Sequence, residues 1–409
     1  MKVVGIVGEY NPFHCGHQYH IEETRRMLGE DTAVICVMSG DFVQRGSAAV
    51  FDKHARAEAA ARCGADIVFE LPLPWSISSA EGFARGAVGL LGALGVVTHL
   101  SFGSECGSIQ QLDALAAALL DPETGAKITT EMVQGITFAS ARQRVLEREL
   151  GGMAKLLETP NNILGVEYLK ALYTLRLGIE PVTVTRTGAE HDGTTAAGNV
   201  SRKKHGEKQI RSASELRMLL CGGENIDRSV PDAAWEIYKR QTEHGRGPVS
   251  DDVLESAILS RLRMLPDPVF DALPDATEGL GNRLRECARN EPTLEAVVAA
   301  AKSKRYALSR IRRMAMCAAL GVRKGMADGI PPYARLLACT ERGRGLLRTV
   351  SERSDLPIIT KPASVRELSP GAQEIFALGA RARDLYVLGY SVRGERKGGS
   401  DWRMNPAVL

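Results

Sequence analysis

Short apolar runs alternate with longer helix-like runs over residues 1 to about 190 of the chain. The apolar runs occupy residues 3–7, 32–38, 66–72, 96–102 and 181–185. Continuous apolar strands joined by helices are typical of parallel sheets whose two faces are both covered. The pattern therefore predicts an α/β fold with a doubly wound parallel sheet, whose ligands bind at the carboxyl ends of the strands.

The pattern also predicts two domains. Helix-like segments between the fourth and fifth strands indicate an insertion at about residues 108–158 of a catalytic domain spanning 1–226. Beyond residue 227 strand-like runs become rare, and amphipathic helices are predicted over 251–264, 279–288, 294–306 and 308–320. We therefore expect a mainly α-helical second domain over 227–409. Residues 356–360 could form a short strand, while 188–211 and the tail 393–403 are polar and predict loosely packed segments.

Charge is distributed unevenly along the chain. The formal net charge is only +3, but residues 301–409 carry 21 Lys and Arg against 9 Asp and Glu, whereas residues 1–300 carry 31 against 40. A basic C-terminal part in an otherwise acidic chain favours a polyanionic partner, here nucleic acid. The alternative is a basic surface that contacts only solvent. Candidate phosphate contacts are Lys203, Lys204 and arginines such as Arg312 and Arg313.

Composition excludes several classes of protein. The eight cysteines form no C-x-x-C pair, so neither a zinc site nor a redox motif is indicated. No apolar run approaches the length needed to span a membrane, and no basic stretch precedes a secretory apolar segment. We therefore expect a cytoplasmic protein with no membrane partner.

Two histidines directly follow the first predicted strand. His14, Gly16 and His17 stand where that strand turns into a helix-like run. A helix N-terminus offers free backbone N–H groups and attracts anions, and glycine permits close approach to a phosphate. Neither common glycine-rich phosphate loop is present. A packed histidine pair remains an alternative, and a metal site would need further ligands. We expect a nucleotide-phosphate site.

The string Glu9-Tyr10-Asn11-Pro12-Phe13-His14-x-Gly16-His17 resembles the signature of HIGH-type nucleotidylyltransferases, and in particular of the tRNA(Met) cytidine acetate ligase family. Further similar segments are residues 38–46, 102–105, 160–164 and 212–217, and Arg186 with His191 and Asp192. The chain departs from the pattern at Cys15 and Asp41, where asparagine is usual, and at Ser214 and Leu216.

The resemblance implies a Rossmann-like fold of the HUP type and a specific reaction. Such ligases form acetyl-adenylate from ATP and acetate, and transfer the acetyl group to N4 of the wobble cytidine, C34, of elongator tRNA(Met). His14 and His17 would donate to phosphate oxygens, and Mg²⁺ would neutralise pyrophosphate without a dedicated protein metal site. The implied ATP site comprises Val7, Gly8, Glu9, Tyr10, Asn11, Pro12, Phe13, His14, Cys15, Gly16, His17, Gln18, Tyr19, His20, Gly103, Asn161 and Arg186.

Some alternatives remain open at this point. Either Asn161 or Asn162 could contact ATP while the other caps a helix. Phe13, Met38 and Gln44 are candidates for the acetate pocket, although core packing explains Phe13 and Met38 equally well. A small-molecule adenylyltransferase would share His-x-Gly-His but act without RNA, and an RNA-binding protein that senses ATP would release no pyrophosphate. No Lys-Met-Ser-Lys-Ser-like loop supports an aminoacyl-tRNA synthetase.

Overall fold

The first half of the chain alternates strands and helices, as its apolar runs predict. The computed structural model describes residues 2–133, 136–186, 204–205, 208–277, 279–303 and 306–409. The elements up to the fifth predicted strand are β1 Val3–Gly8, α1 Cys15–Leu28, β2 Ala33–Ser39, β3 Phe42–Val43, β4 Ser47–Ala48, α2 Lys53–Arg62, β5 Ile67–Leu71, α3 Leu73–Ser76, α4 Ala80–Ala93, β6 His99–Ser104, α5 Ile109–Leu120, α6 Pro122–Met132, α7 Phe138–Leu150, α8 Pro160–Thr174 and β7 Glu180–Thr185. The predicted insertion thus consists of α5, α6, α7 and a 3₁₀ segment, Gly151–Glu158.

The second half is mainly helical but contains further strands. Its elements are β8 Lys204–His205, β9 Lys208–Gln209, α9 Ala213–Cys221, α10 Asp232–Glu243, α11 Asp251–Met264, α12 Pro268–Asp271, α13 Leu280–Asn290, α14 Leu294–Ala301, α15 Leu308–Leu320, β10 Ala334–Cys339, α16 Glu341–Arg353, β11 Ile358–Ile359, α17 Pro370–Tyr386 and β12 Ala407–Val408. The short strand expected near residues 356–360 is therefore present as β11.

The main sheet runs in the order β11-β10-β5-β2-β1-β6-β7, and β12 also pairs with β10. Strands β5, β2, β1, β6 and β7 are mutually parallel, so their carboxyl ends meet at one edge. The order reverses between β1 and β6, the switch point at which open α/β sheets bind ligands. The His-x-Gly-His turn leaves β1 at this point, so the topology puts the predicted site where the fold favours one.

Alternate residues of the strands point to opposite faces, and each face is covered. Val3, Ile35 and Phe69 belong to a core shared with α4, α5 and α8. Val4, Cys36 and their neighbours belong to a second core shared with α1, α2, α9 and α10. This two-sided burial explains why the strands read as continuous apolar runs rather than alternating ones, and it confirms the doubly wound prediction.

The predicted domain boundary at residue 226/227 needs correction. Helices α11, α13, α14 and α15 do enclose a separate core. Residues 334–408, however, return to the main sheet: β10 pairs antiparallel with β5, with Arg335 opposite Glu70. The second half is therefore not a free-standing helical unit. Sequence did not reveal this because β10 reads as an isolated apolar run among helices.

A hairpin joins the sheet to the helical cluster. Strands β3 and β4 pair antiparallel directly after β2. Phe42 and Ala48 pack into the core of the helical cluster. Gly46, at φ +75°, turns the hairpin so tightly against α15 that a Cβ would lie 2.7 Å from the Arg313 backbone. The Ala48 N–H donates to Asp251 of α11 over 2.8 Å. The hairpin therefore fixes the helical cluster beside the carboxyl edge of the sheet.

A buried ion network anchors the C-terminal tail. Asp401, 0% exposed, accepts from Lys53 Nζ at 2.8 Å and from Arg335 Nη1 at 2.7 Å. Glu70 completes the network with bonds to the same two cations. Burial opposes ionisation of Asp401, but the charges of Lys53 and Arg335 outweigh it and hold its pKa well below the ordinary value. The expectation of a loose tail over 393–403 is wrong at Asp401, because a charge that pairs inside the protein cannot be distinguished by sequence from one at the surface.

We predict that Asp401→Asn destabilises the fold by about 3–5 kcal/mol, because Lys53 and Arg335 would be left sharing the single carboxylate of Glu70 in a buried site. Urea unfolding monitored by circular dichroism measures the change. Glu352→Gln is the control: its ion pair with Arg348 is exposed, so its removal should cost about 1 kcal/mol or less. Equal, small losses in the two variants would contradict a stabilising role for the network.

Candidate active site

The two histidines of the turn cap helix α1 with their own side chains. His14 is the N-cap residue, and its Nδ1 accepts from the Gly16 N–H at 3.0 Å. His17 Nδ1 accepts in return from the His14 N–H at 3.2 Å. The two rings stack with centroids 3.8 Å apart and an interplanar angle of 25°. This is a capping box in which imidazoles replace the usual hydroxyl and carboxylate.

The capping bonds decide which ring nitrogen carries the proton. A nitrogen that accepts a hydrogen bond has no proton, so in each neutral ring the proton lies on Nε2. Burial and the positive charges of Arg186 and Arg217 lower the pKa of His14 to about 3. Burial and the neighbouring His14 and Arg186 also lower that of His17 well below its ordinary value. Both residues are therefore neutral at pH 7 and present Nε2–H as a hydrogen-bond donor.

Gly16 is required by the closeness of the His14 ring. A Cβ at this position would lie 2.9 Å from His14 Cε1 and 3.0 Å from Nδ1. Any larger residue would push the ring away from the Gly16 N–H that it caps. The glycine of His-x-Gly-His thus makes the cap possible, in addition to leaving the helix mouth open.

Aromatic packing holds the His17 ring from behind. The Tyr10 and Phe13 rings lie 4.9 and 5.5 Å from it. Both residues are buried, and Tyr10 contacts Cys36 Sγ through its hydroxyl at 3.1 Å. The Phe13 N–H donates to the hydroxyl of Tyr238 on α10 at 2.8 Å. The side chains of Tyr10 and Phe13 therefore support the histidines from within the core.

Two cations flank the histidine pair. Arg186 follows β7, and its side chain lies against Gly103 of β6, where a Cβ would meet Arg186 Cγ at 3.0 Å. Arg217 of α9 donates to the carbonyl of Asn11 at 2.8 Å and to Ser214 Oγ at 3.0 Å. Helix α9 begins with Ser212 as its N-cap. Arg186 and Arg217 thus bring two positive charges to the edge between β1, β6 and β7, whose histidines are neutral.

Asn161 and Asn162 both form hydrogen bonds with Glu105. Asn161 Nδ2 donates to Glu105 Oε1 at 2.6 Å, and the Asn162 N–H donates to Oε2 at 2.8 Å. Asn162, 1% exposed, in turn accepts the N–H groups of Glu105 and Cys106 at 3.0 and 3.2 Å. Asn162 therefore ties the end of β6 to the start of α8. Asn161 is the more accessible of the two, which makes it the better candidate for a ligand contact.

The remaining residues of the predicted ATP string fall into two groups. Asn11, Pro12 and Cys15 are buried, the Asn11 carboxamide oxygen accepts from the Val50 N–H at 2.8 Å, and burial raises the pKa of the Cys15 thiol to about 11. The partly exposed group consists of Val7, Gly8, Glu9, Gln18, Tyr19 and His20. Their ATP contacts stay predictions. Of the acetate candidates, Phe13 and Met38 are fully buried in a core, so packing accounts for both, whereas Gln44 is only partly buried and its N–H donates to Glu9 Oε1.

Sequence reasoning missed Arg56. This arginine of α2 is 0% exposed, and within the described residues its side chain donates to four backbone carbonyls, those of Phe51 at 2.8 Å, Ser39 at 3.2 Å, Gly40 and Glu9. It therefore joins the ends of β1 and β2. An arginine in an alanine-rich helix carries no sequence signal for this position, because an exposed arginine would look the same.

Several predicted RNA contacts are occupied by other partners. Arg313 is 9% exposed and pairs with Asp275 at 3.2 Å, and Arg312 pairs with Asp251 at 3.5 Å. Because Arg313 is buried and paired, it is withdrawn as a phosphate contact. Charge counting did not reveal this, since it does not distinguish a buried arginine from an exposed one. His191, Asp192 and Lys203, most of the 188–211 loop and the side chain of Lys204 lie outside the described residues.

No three His, Cys, Asp or Glu side chains converge to hold a metal ion within the described parts of the chain. Helices long and apolar enough to cross a membrane are also absent from those parts.

Comparison with known proteins matches this chain at full length. A family model described as HIGH Nucleotidyl Transferase matches residues 1–401. The tRNA(Met) cytidine acetate ligase of Caldanaerobacter subterraneus subsp. tengcongensis is 37% identical, covering 95% of this chain and 96% of that protein. The enzyme of the same name from Acetivibrio thermocellus is 32% identical over the whole of both chains.

Solved structures agree with the sequence matches. The crystal structure of Thermotoga maritima TmcAL without ligand superposes with a TM-score of 0.92 at 34% identity, covering all of both chains. A second crystal structure of that protein, bound with alpha-thio ATP, gives a TM-score of 0.91 at 33% identity.

Proposed function

Because the chain belongs to the HIGH nucleotidyl transferase family and, within it, to the tRNA(Met) cytidine acetate ligases, we propose that it uses ATP and acetate to acetylate N4 of the wobble cytidine, C34, of elongator tRNA(Met). The observation that carries the chemistry is the pair of neutral imidazoles at the start of α1. Their Nε2–H donors lie together at the N-terminus of one helix, whose dipole also favours anions, which is an arrangement suited to a polyphosphate.

The first step is attack of an acetate oxygen on the α-phosphorus of ATP. The new bond is P–O to acetate, and the bond that breaks joins the α-phosphorus to the bridging oxygen of pyrophosphate, which leaves with its electron pair. Negative charge builds on the phosphoryl oxygens and on the leaving group. His14 and His17 would donate to these oxygens, and Arg186 and Arg217 would offset the charge. No side-chain nucleophile is needed.

The second step transfers the acetyl group. The cytidine N4 attacks the acetyl carbon, the carbon–oxygen bond to AMP breaks, and AMP leaves with that electron pair while N4 loses a proton.

We assign contacts with ATP to residues around the crevice between β1 and β6, namely His14, His17, His20, Gly103, Asn161 and Arg186. ATP and tRNA are cytoplasmic substrates, which supports the expected location of the enzyme.

Magnesium fits the proposal as an ion bound by the substrate. Mg²⁺ commonly keeps several waters and binds substrate phosphates with few protein carboxylates. No carboxylate cluster converges in the part of the chain that is described, so the triphosphate oxygens and water would hold the ion. There it would screen the charge of the pyrophosphate.

The RNA must reach the same edge of the sheet. Arg45, in the turn between β3 and β4, is exposed and has no ion pair with any described residue. Its charge is close enough to that of Arg217 to lower the latter's pKa, although burial is the larger cause. We therefore assign Arg45 as a contact for an RNA phosphate next to the reacting base.

We expect His17→Asn to lower the rate of ATP–pyrophosphate exchange with acetate by about 10²–10³-fold. The asparagine Oδ1 can replace Nδ1 as acceptor for the His14 N–H, so the cap and the fold should persist while the Nε2–H donor is lost. Exchange of labelled pyrophosphate into ATP measures the rate, and circular dichroism measures the thermal midpoint.

Arg26→Ala on the same helix is the matched control, because its side chain is exposed and its ion pair within the described residues is with Glu23. It should keep the wild-type exchange rate. A His17→Asn protein that is folded and exchanges pyrophosphate at the wild-type rate would disprove the role of the imidazole pair.

Arg45→Glu is expected to weaken binding of elongator tRNA(Met) and to reduce the slope of log Kd against log salt by about one. Loss of one phosphate contact changes the number of released counterions without affecting ATP. Filter binding from 50 to 200 mM KCl measures the slope.

The control is Arg344→Glu, which makes the same charge change at an exposed residue of α16. Helix α16 begins at the opposite, amino edge of the sheet, where Gly343 packs against the backbone of Asp66 just before β5. Its salt slope should equal that of the wild type. If both variants lose affinity equally, the RNA responds to net charge and Arg45 is no contact.

A further inference from the structure

His20 is a third imidazole of α1 that differs from His14 and His17. It lies one turn beyond His17, and its Nε2 is 2.9 Å from Ser101 Oγ in the middle of β6. Burial and the charge of Arg186 lower the pKa of His20 to about 4, so the ring is neutral at pH 7. Arg186 acts on all three imidazoles, which places His20 at the same crevice.

Hydroxyl groups behind His20 decide its tautomer. Thr24 Oγ1 lies 2.7 Å from the His20 carbonyl, which can only accept, so the Thr24 proton is donated there. Ser101 Oγ, 2.7 Å from Thr24 Oγ1, must then donate its own proton to Thr24. Ser101 has no second proton, so His20 Nε2 must donate to Ser101. The neutral ring therefore keeps its only proton on Nε2.

The consequence is a bare Nδ1 lone pair. Among the residues that the structure describes, no group donates to His20 Nδ1, and that atom is not among those buried without a partner. His14 and His17 have the opposite arrangement, since their Nδ1 atoms are occupied and their Nε2 atoms donate. The crevice thus offers donors at the helix mouth and one acceptor a turn deeper.

We propose that His20 Nδ1 accepts a hydrogen bond from a ribose hydroxyl of the bound nucleotide and so selects ribonucleotides over deoxyribonucleotides. The inference rests on the proposed function, in that ATP occupies this crevice. Three residues along an α-helix advance about 4.5 Å, a distance comparable with that between an α-phosphorus held by His17 and the ribose attached to it. Phosphate oxygens only accept at pH 7, so a bare Nδ1 would repel them, whereas a hydroxyl can donate.

The test compares two substitutions at one position. Isothermal titration measures binding of ATP, 2′-deoxyATP and 3′-deoxyATP without acetate or RNA. The wild type should bind ATP about 3- to 10-fold more tightly than at least one deoxy analogue, the effect of one neutral hydrogen bond. His20→Gln keeps an amide near Ser101 but has no acceptor at the Nδ1 position, so this ratio should fall to about one through weaker ATP binding alone.

His20→Asn is the matched variant, because its Oδ1 lies near the former Nδ1 and retains an acceptor. Its preference for ATP over the deoxy analogue should therefore exceed that of His20→Gln. Ser101→Ala provides a second route: the ring can then take up the other tautomer, and the ratio should fall although His20 is unchanged.

Three results would overturn the proposal. One is a wild type that does not distinguish ATP from either deoxy analogue. The second is a His20→Gln protein whose affinities for ATP and the deoxy analogues have the wild-type ratio. The third is a His20→Gln protein that keeps this ratio but no longer distinguishes ATP from ITP, since that result would place the 6-amino group of adenine at Nδ1. Acetylation of tRNA is assayed separately. A protein that selects ribose through His20 but makes no acetylcytidine would refute the proposed function and leave the His20 assignment intact.

Discussion

Two backbone N–H groups at the start of α1, those of the N-cap residue His14 and of Gly16, determine the chemistry available at the site. Such groups have no partner within a helix and must be satisfied by another acceptor. Here the acceptors are the Nδ1 atoms of His14 and His17. The cap therefore fixes ring position, tautomer and protonation together, so that each imidazole is a directed donor before any substrate arrives. Preorganised donors of this kind cost no reorganisation during the reaction.

The rest of the fold holds this turn in place from several directions. Tyr238 of α10 accepts from the Phe13 N–H, and Arg217 of α9 donates to the Asn11 carbonyl. Arg56 joins the ends of β1 and β2 through backbone carbonyls. The C-terminal segment contributes through Arg335 and Asp401, whose ion network includes Lys53 at the start of α2. Distant parts of the chain therefore support one sheet edge, which explains why the second half cannot be treated as an independent domain.

Sequence predicted the features that depend on local pattern. The five parallel strands, the insertion and the position of His14 and His17 follow from hydrophobic runs and turn chemistry. It failed where a residue's partner is remote. Nothing local indicates that Arg56 is buried, that Asp401 pairs with Arg335, that Arg313 is occupied by Asp275, or that Asn162 caps the end of β6. Each such residue is polar and would look the same on a solvated surface, because burial of a charge is decided by tertiary contacts.

The central claim is that His14 and His17 are neutral at physiological pH and carry their protons on Nε2. Nitrogen-15 NMR of protein labelled at histidine, with assignment by His14→Asn and His17→Asn, measures tautomer and protonation directly. We expect two neutral Nε2–H rings whose shifts stay constant from pH 8 down to pH 5, since the folded-state pKa of His14 lies at about 3 and that of His17 well below its ordinary value. Titration of either ring near pH 6.5, or an Nδ1–H tautomer, would contradict it.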